Sequence, residues 1–448
     1  MAPATIGAPY CEASRYVIDP RRTEMSVGTT SPAPARFAKA PLFVIAGSHA
    51  SLHWAMATFY LLLPFIQQSL GLTYTQAGAL ASVVHLASFA VNLPGGMIVD
   101  LSGKRLACQL VSLVFAAVGM LGLAFVGQYW AILAFTALIA AMNTLWHPAA
   151  ISFLSSRYAD QRGLALSFHT VGASIGDALA PMVVGTLIAV WGWQAGALVG
   201  AGPPLVAAVV LVFVFVRRGE SNHAEHMRSR TAGGFAGYVA GISSVVKDVR
   251  IWLVCALAGL RGTAQAGLRA FLPLYAVNEL GANAIWAGIV MVAFQGAGGL
   301  ATPFAGAWSD RYGRQPVLFI GLAIAAFVTL LLPHAGEPWT YAVLAGVIGA
   351  SLFSLRPVIQ GWALDITPTE LGGSTISILF GAQAAFSMTV PLLGGMAADR
   401  WGLASAFYLF AAAAFVAAVL AGAMGSFRSG ASGTDVSGTD ASGDSGRC

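Results

Sequence analysis

The chain is 448 residues long, 57% hydrophobic and only 9% charged, with a formal net charge of +5. An ordinary soluble protein is about 25% charged, so a soluble globular protein is excluded, and long apolar runs exclude a barrel, whose strands would alternate. The scattered excess of positive charge is no nucleic-acid signal, and four cysteines, two in the tails and two in apolar segments, make no disulfide framework.

In chain order, residues 1–40 hold five basic residues and no apolar core, so they are no cleavable signal. They are expected to form a disordered cytoplasmic tail, with Met25 an alternative start. Twelve apolar windows of roughly 20 residues follow, near 41–66, 76–99, 105–126, 129–154, 164–190, 194–216, 251–277, 284–308, 315–334, 338–364, 372–398 and 404–425. The expected fold is an all-α membrane protein of twelve transmembrane helices in two pseudo-symmetric six-helix bundles, 41–216 and 251–425. A cytoplasmic linker, 217–250, separates them, and the Ser/Gly/Asp-rich stretch 426–448 is expected to be a disordered cytoplasmic tail.

Lys and Arg set the orientation. With the N-terminus inside, Lys104, Arg105, Arg157, Arg162, Arg217, Arg218, Arg228, Arg230, Lys247, Arg250, Arg311, Arg314 and Arg428 all fall on the cytoplasmic side, as do both termini. The outer loops carry almost no basic residue; Arg400, beside Asp399, is the exception.

The two halves repeat. GGMIVDLSGKR (95–105) matches AGAWSDRYGRQ (305–315), pairing Gly96 with Gly306, Asp100 with Asp310 and Gly103 with Gly313, each 210 residues apart. PMVVGTLIAVWGW (181–193) matches PLLGGMAADRWGL (391–403) at the same offset, and His147-Pro148 answers Arg356-Pro357 at an offset of 209. Several landmarks sharing one offset mark a duplicated six-helix unit.

The two G-x-x-x-D-x-x-G-[RK] loops resemble the signature loop of the major facilitator superfamily. The resemblance implies a gate built from Gly96, Asp100, Gly103, Lys104 and Arg105 in one half and Gly306, Asp310, Arg311, Gly313 and Arg314 in the other. Leu101 stands where the family has Arg, so the first copy departs from the pattern. His147-Pro148, Arg162-Gly163, Ser167, Gly172, Gly176 and Pro181 are similar to the drug-exporter branch that includes fosmidomycin-resistance proteins. The family's antiporter motif has a Gly-Pro pair on the fifth span; here Ala180 precedes Pro181.

Charges inside apolar spans are costly and mark function. Arg261, Gln265 and Arg269 share one stripe of the span 251–277, which by resemblance lines the central cavity. By helical rise Arg261 lies ~15 Å in and Arg269 ~27 Å in, near the outer boundary. The stripe reads as a wall for an anionic or hydrogen-bond-accepting solute; alternatively Arg261 forms a structural ion pair and Arg269 snorkels to the interface. Arg356, His53 and His147 are further substrate-binding candidates. Asp177, the single carboxylate deep in a span, and His49, His53 and His169 are candidates for proton coupling, or else are polar groups with permanent partners. His49 and His53, four apart, share a helix face, but no nearby Cys, Asp or Glu completes a metal set, so no metal is expected.

No Walker loop and no nucleophile-base arrangement is present, so neither an enzyme nor a cofactor is expected. The expectation is a monomeric inner-membrane secondary transporter in the lipid bilayer, binding no nucleic acid, that exports a small, possibly anionic organic molecule or drug with protons as coupling ion. Symport of an organic anion and a non-transporting sensor or assembly protein are the alternatives.

Overall fold

The computed structural model describes residues 39–216, 243, 246–367 and 372–429. Residues 1–38 and 430–448 of the expected tails and most of the linker, with Arg217, Arg218, Arg228 and Arg230, therefore lie outside the described residues. The described chain is helix and turn throughout, without a strand. In order it forms α1 (Lys39–Leu70), α2 (Tyr74–Ser102), α3 (Arg105–Phe125), α4 (Tyr129–Arg157), α5 (Arg162–Leu211) and α6 (Val249–Asn278). Then come α7 (Ala284–Tyr312), α8 (Arg314–Leu331), α9 (Pro338–Asp365), α10 (Gly372–Ser387), α11 (Val390–Trp401) and α12 (Ala404–Ser429).

Among the described residues nine helices are long and apolar enough to cross a membrane. α5 with its short continuation spans 54 residues, enough for two crossings, and its backbone breaks at Gly192 (φ 81°, ψ 174°). α1 and α2, of 32 and 29 residues, have the length to cross too, although α1 is diluted by two histidines and two glutamines. The apolar window at 372–398 is split into α10 and α11, because Pro391 sits at the start of α11 and has no N–H to continue α10. Phe125, Trp130, Leu300 and Phe304 are each about three-quarters exposed, an apolar exterior that only lipid covers.

Glycines with positive φ fall into three pairs 210 residues apart: Gly71 with Gly281, Gly103 with Gly313, and Gly192 with Gly402. A side chain rarely tolerates that backbone, so each pair keeps a glycine at the same turn of both copies, although Gly103 (ψ 0°) and Gly313 (ψ 159°) continue it differently. Capping is local: Thr73 and Gln76 make a reciprocal box at the start of α2, and Asn283 accepts from Trp286 N–H at the start of α7.

Two crossings join the halves, α2 over α11 and α5 over α7. A Cβ at Gly78 would overlap the Pro391 carbonyl and one at Gly395 the Tyr74 carbonyl; Gly288 meets the Pro181 carbonyl and Gly185 the Ala284 carbonyl. The second pair of contacts is the first displaced by 210 residues. Interhelical contact at backbone distance replaces the hydrophobic drive that lipid removes.

The hydrogen bonds between the halves gather at mid-depth and at the end of the bundle that carries Gly71. There Asp399 of α11 accepts from the Tyr74 and Thr75 N–H groups, both at 2.8 Å, placing a carboxylate on the positive end of α2. Asn278 donates to Gln67 at 3.1 Å and accepts from Gln68 at 2.8 Å, and Leu392 N–H donates to Ser82 Oγ at 3.0 Å. Trp130, Trp191, Trp339 and Trp401 are exposed around this same end, as a membrane-interface belt requires.

Asp399→Ala is expected to loosen this end by about 0.5–2 kcal/mol, the worth of a helix cap. A cysteine placed at Ser82 should then react severalfold faster with an impermeant maleimide. Unchanged labelling would show that Asp399 does not hold the end shut.

Candidate functional site

The site is built from helices packed at backbone distance. A Cβ at Gly172 or Gly176 of α5 would overlap the Ala46 or Ala50 carbonyl of α1, and this close seating brings the polar residues of the two helices together. His53 Nδ1 lies 3.0 Å from Asp177 Oδ2, with which Arg269 Nη2 makes a longer contact of 4.0 Å. Gln295 of α7 donates to the Asp177 carbonyl at 3.1 Å. The side chains of Asp177, His53 and Arg269 stay 12%, 18% and 19% exposed although they lie mid-helix.

Arg269 does not snorkel to the interface. Its guanidinium lies over the Tyr60 and Phe353 rings, 5.5 Å from each centroid, and faces Asp177. A cation held between two aromatic faces is attracted by both quadrupoles and fixed in direction. Arg356 of α9 is exposed, with its guanidinium 5.2 Å from the Phe380 centroid.

Arg261 is buried, at 1% exposure, and the expected alternatives meet a third arrangement. Among the described residues it pairs with no carboxylate. Instead it donates to Gln265 Oε1, to the Leu352 carbonyl at 3.0 Å and to Gln383 Oε1 at 3.2 Å, tying α6 to α9 and α10. Buried polar atoms here without a hydrogen-bond partner among the described residues include Asp177 Oδ1, Gln295 Oε1, Arg269 Nε and Arg261 Nε. A buried unmet group costs about 1–3 kcal/mol.

The four expected histidines come together on one flank. His49 and His169 stack at 3.7 Å between centroids with planes 3° apart, His49 lies 4.7 Å from His53 and 5.1 Å from His147.

At the end of the bundle that carries Gly103 lie both signature loops. Arg314 donates to Asp310, to Ser309 Oγ at 2.8 Å and to Asp365 at 3.2 Å, and Gly313 (φ 93°) lets the chain turn between α7 and α8. Arg311 lies over the Tyr312 ring, and nothing lies within 4 Å of a Cβ at Gly96 or Gly306. In the first copy Arg105 donates to Ser156 Oγ at 2.8 Å and Lys104 is exposed, while the side chain of Asp100 lies outside what is described.

Two groups escaped the sequence reading. Asp399 looks like a loop charge until α2, 324 residues away in sequence, presents its N–H groups to it. Gln383, with an ordinary amide in an apolar window, gave no signal that it would meet Arg261.

Long apolar helices packed about a charged wall at mid-depth are the build of a membrane transporter, and comparison with known proteins agrees. The chain belongs to the Major Facilitator Superfamily, whose profile matches residues 45–298 and again 254–434. It is 27% identical over 355 residues to an uncharacterized MFS-type transporter of Bacillus subtilis, covering 77% of this chain and 84% of that one. It is 26% identical over 342 residues to the fosmidomycin resistance protein of Escherichia coli, covering 76% and 80%. A multidrug resistance protein of Klebsiella pneumoniae is 29% identical over 170 residues, 37% of this chain and 40% of the relative. The solved nucleoside transporter NupG, as its D323A mutant, shares the fold at TM-score 0.70 and 13% identity, covering 86% of this chain and 99% of that one. The protein is thus a multi-pass membrane transporter of small molecules and not an enzyme.

Proposed function

We propose that the protein is a monomeric twelve-crossing secondary transporter that exports a small organic anion in exchange for protons. Its two six-helix halves, repeated at 210 residues, rock about the solute by alternating access. The observation that carries this reading is the charge imbalance at mid-depth: Arg261, Arg269 and Arg356 against the single carboxylate of Asp177 among the described residues. An anion entering between the halves competes with Asp177 for Arg269 and meets the donors of Arg356. Gln265 and Arg261 stand behind them, and Arg261 adds positive charge to the wall. Without an ATP-binding loop, an ion gradient is left to drive the cycle.

The concentration of basic residues at the end that carries Gly103 supports placing that end, with both termini, in the cytoplasm. The end joined through Asp399 then faces outward. The signature loops lie at the cytoplasmic end as the inner gate. Relatives named for fosmidomycin and multidrug resistance favour export as the direction.

The test is discharge of an imposed pH gradient in everted vesicles by a panel of phosphonates, carboxylates and uncharged amphipathic drugs. Small anions should discharge it, with the sign of antiport. The opposite sign would make the protein a symporter, a response to uncharged drugs alone would remove the anion site, and no response would leave a transporter-like sensor.

A further inference from the structure

His49, His53 and His147 share a second property that the transport reading does not use. Each ring has its Nδ1 beside an oxygen acceptor. His49 Nδ1 is 2.7 Å from the His169 carbonyl, His147 Nδ1 is 2.8 Å from the Asn143 carbonyl, and His53 Nδ1 is 3.0 Å from Asp177 Oδ2. A carbonyl or carboxylate only accepts, so in the neutral ring each Nδ1 carries the hydrogen and each Nε2 keeps its lone pair. This is the arrangement of metal-binding histidines, whose other nitrogen is held by a carbonyl or carboxylate that fixes tautomer and ring direction.

The three rings also converge. One ring nitrogen from each lies within 4.8 Å of the other two. His49 is 3% exposed and its Nε2 has no hydrogen-bond partner, as expected of a lone pair kept for a ligand. Nitrogens bound tetrahedrally to one zinc at 2.0–2.1 Å are roughly 3.3 Å apart, so each ring needs to move inward by about 1 Å. Small χ adjustments on α1 and α4 supply that.

We propose that His49, His53 and His147 form a binding site for a borderline divalent metal ion, zinc being the best match. Three neutral imidazoles suit Zn²⁺ over Mg²⁺ or Ca²⁺, which take oxygen. The fourth position is left to water, to which His53 and His147 are partly exposed. Asp177 acts as the outer partner of His53, and His169 packs flat on His49 and closes the inner side. From sequence the set was illegible, because α4 brings its histidine from almost a hundred residues away. The inference stands whether or not the transported solute is an anion.

The experiment is Zn²⁺ titration of the purified, tag-free, metal-stripped full chain in detergent, with Co²⁺ as an optical probe. One Zn²⁺ per chain should bind, and Co²⁺ should show the intense visible bands of a tetrahedral site. His49→Gln and His147→Gln should each abolish stoichiometric binding, and His85→Gln, outside the triad, should leave it intact. Asp177→Asn keeps all three ligands and should weaken binding 10–100-fold, the usual loss for an outer partner. Absence of stoichiometric Zn²⁺ binding in the wild-type chain overturns the site, as does wild-type affinity in His147→Gln. Should either glutamine variant misfold, wild-type affinity in Asp177→Asn overturns the assigned geometry.

Discussion

Arg269→Lys is expected to weaken solute binding at least tenfold while leaving the folded protein nearly as stable. The flat guanidinium lies between Tyr60 and Phe353 and faces Asp177, an arrangement that a compact ammonium on a flexible stem does not reproduce. A charged hydrogen bond is worth about 1.5–3 kcal/mol, which sets the tenfold floor. Arg261→Lys should behave differently. Arg261 spreads its donors over Gln265, Leu352 and Gln383 on three helices, and one nitrogen cannot reach all of those acceptors. Its first loss is therefore in thermal stability in detergent, with solute affinity following. Equal affinity losses at unchanged stability would place both arginines directly on the solute. Wild-type affinity in Arg269→Lys would remove that residue from the site.

Gly176→Val should largely abolish accumulation of folded protein. A Cβ at Gly176 already overlaps the Ala50 carbonyl, and backbone cannot swing aside as a side chain can. Even Gly176→Ala should cost about 1–3 kcal/mol, as overpacking does, and should separate His53 from Asp177. Gly47→Ala, on the facing helix α1, meets nothing within 4 Å and serves as the comparison. Fluorescence-detected size exclusion with a melting curve reads the difference. Equal stability of Gly176→Ala and Gly47→Ala would mean that α1 and α5 do not need their close seating.

Much of the architecture was legible because a bilayer simplifies the code. Every crossing must be long and apolar, and the duplication repeats its glycines at one offset. The stripe of Arg261, Gln265 and Arg269 was legible for the same reason, since a charge in an apolar window stands out. Its partners were not. Helical spacing places a residue on a face of its own helix but does not say which helix meets that face. His53 finds Asp177 124 residues away, and Arg261 finds Gln383 122 residues away. Depth misled as well: counting the rise puts Arg269 near the boundary, yet its side chain runs inward between two aromatic rings. The histidine cluster joined His53 to its α1 neighbour His49 locally, but its contacts with His147 and His169 needed α1, α4 and α5 in place.

The two crossings that join the halves are copies of one another, yet one charge distinguishes them. Position 399 carries Asp on the α2–α11 crossing; its repeat mate, 210 residues earlier, is Ala189 on the α5–α7 crossing. Both starts are capped from their own side, α7 by Asn283 and α2 by Thr73, but the start of α2 is also gripped from across the divide. A twofold machine whose paired latches differ in strength does not part along both at once. In the proposed rocking cycle the α5–α7 latch would yield first and the molecule would swing on the Asp399 side, opening the passage as a wedge before a channel.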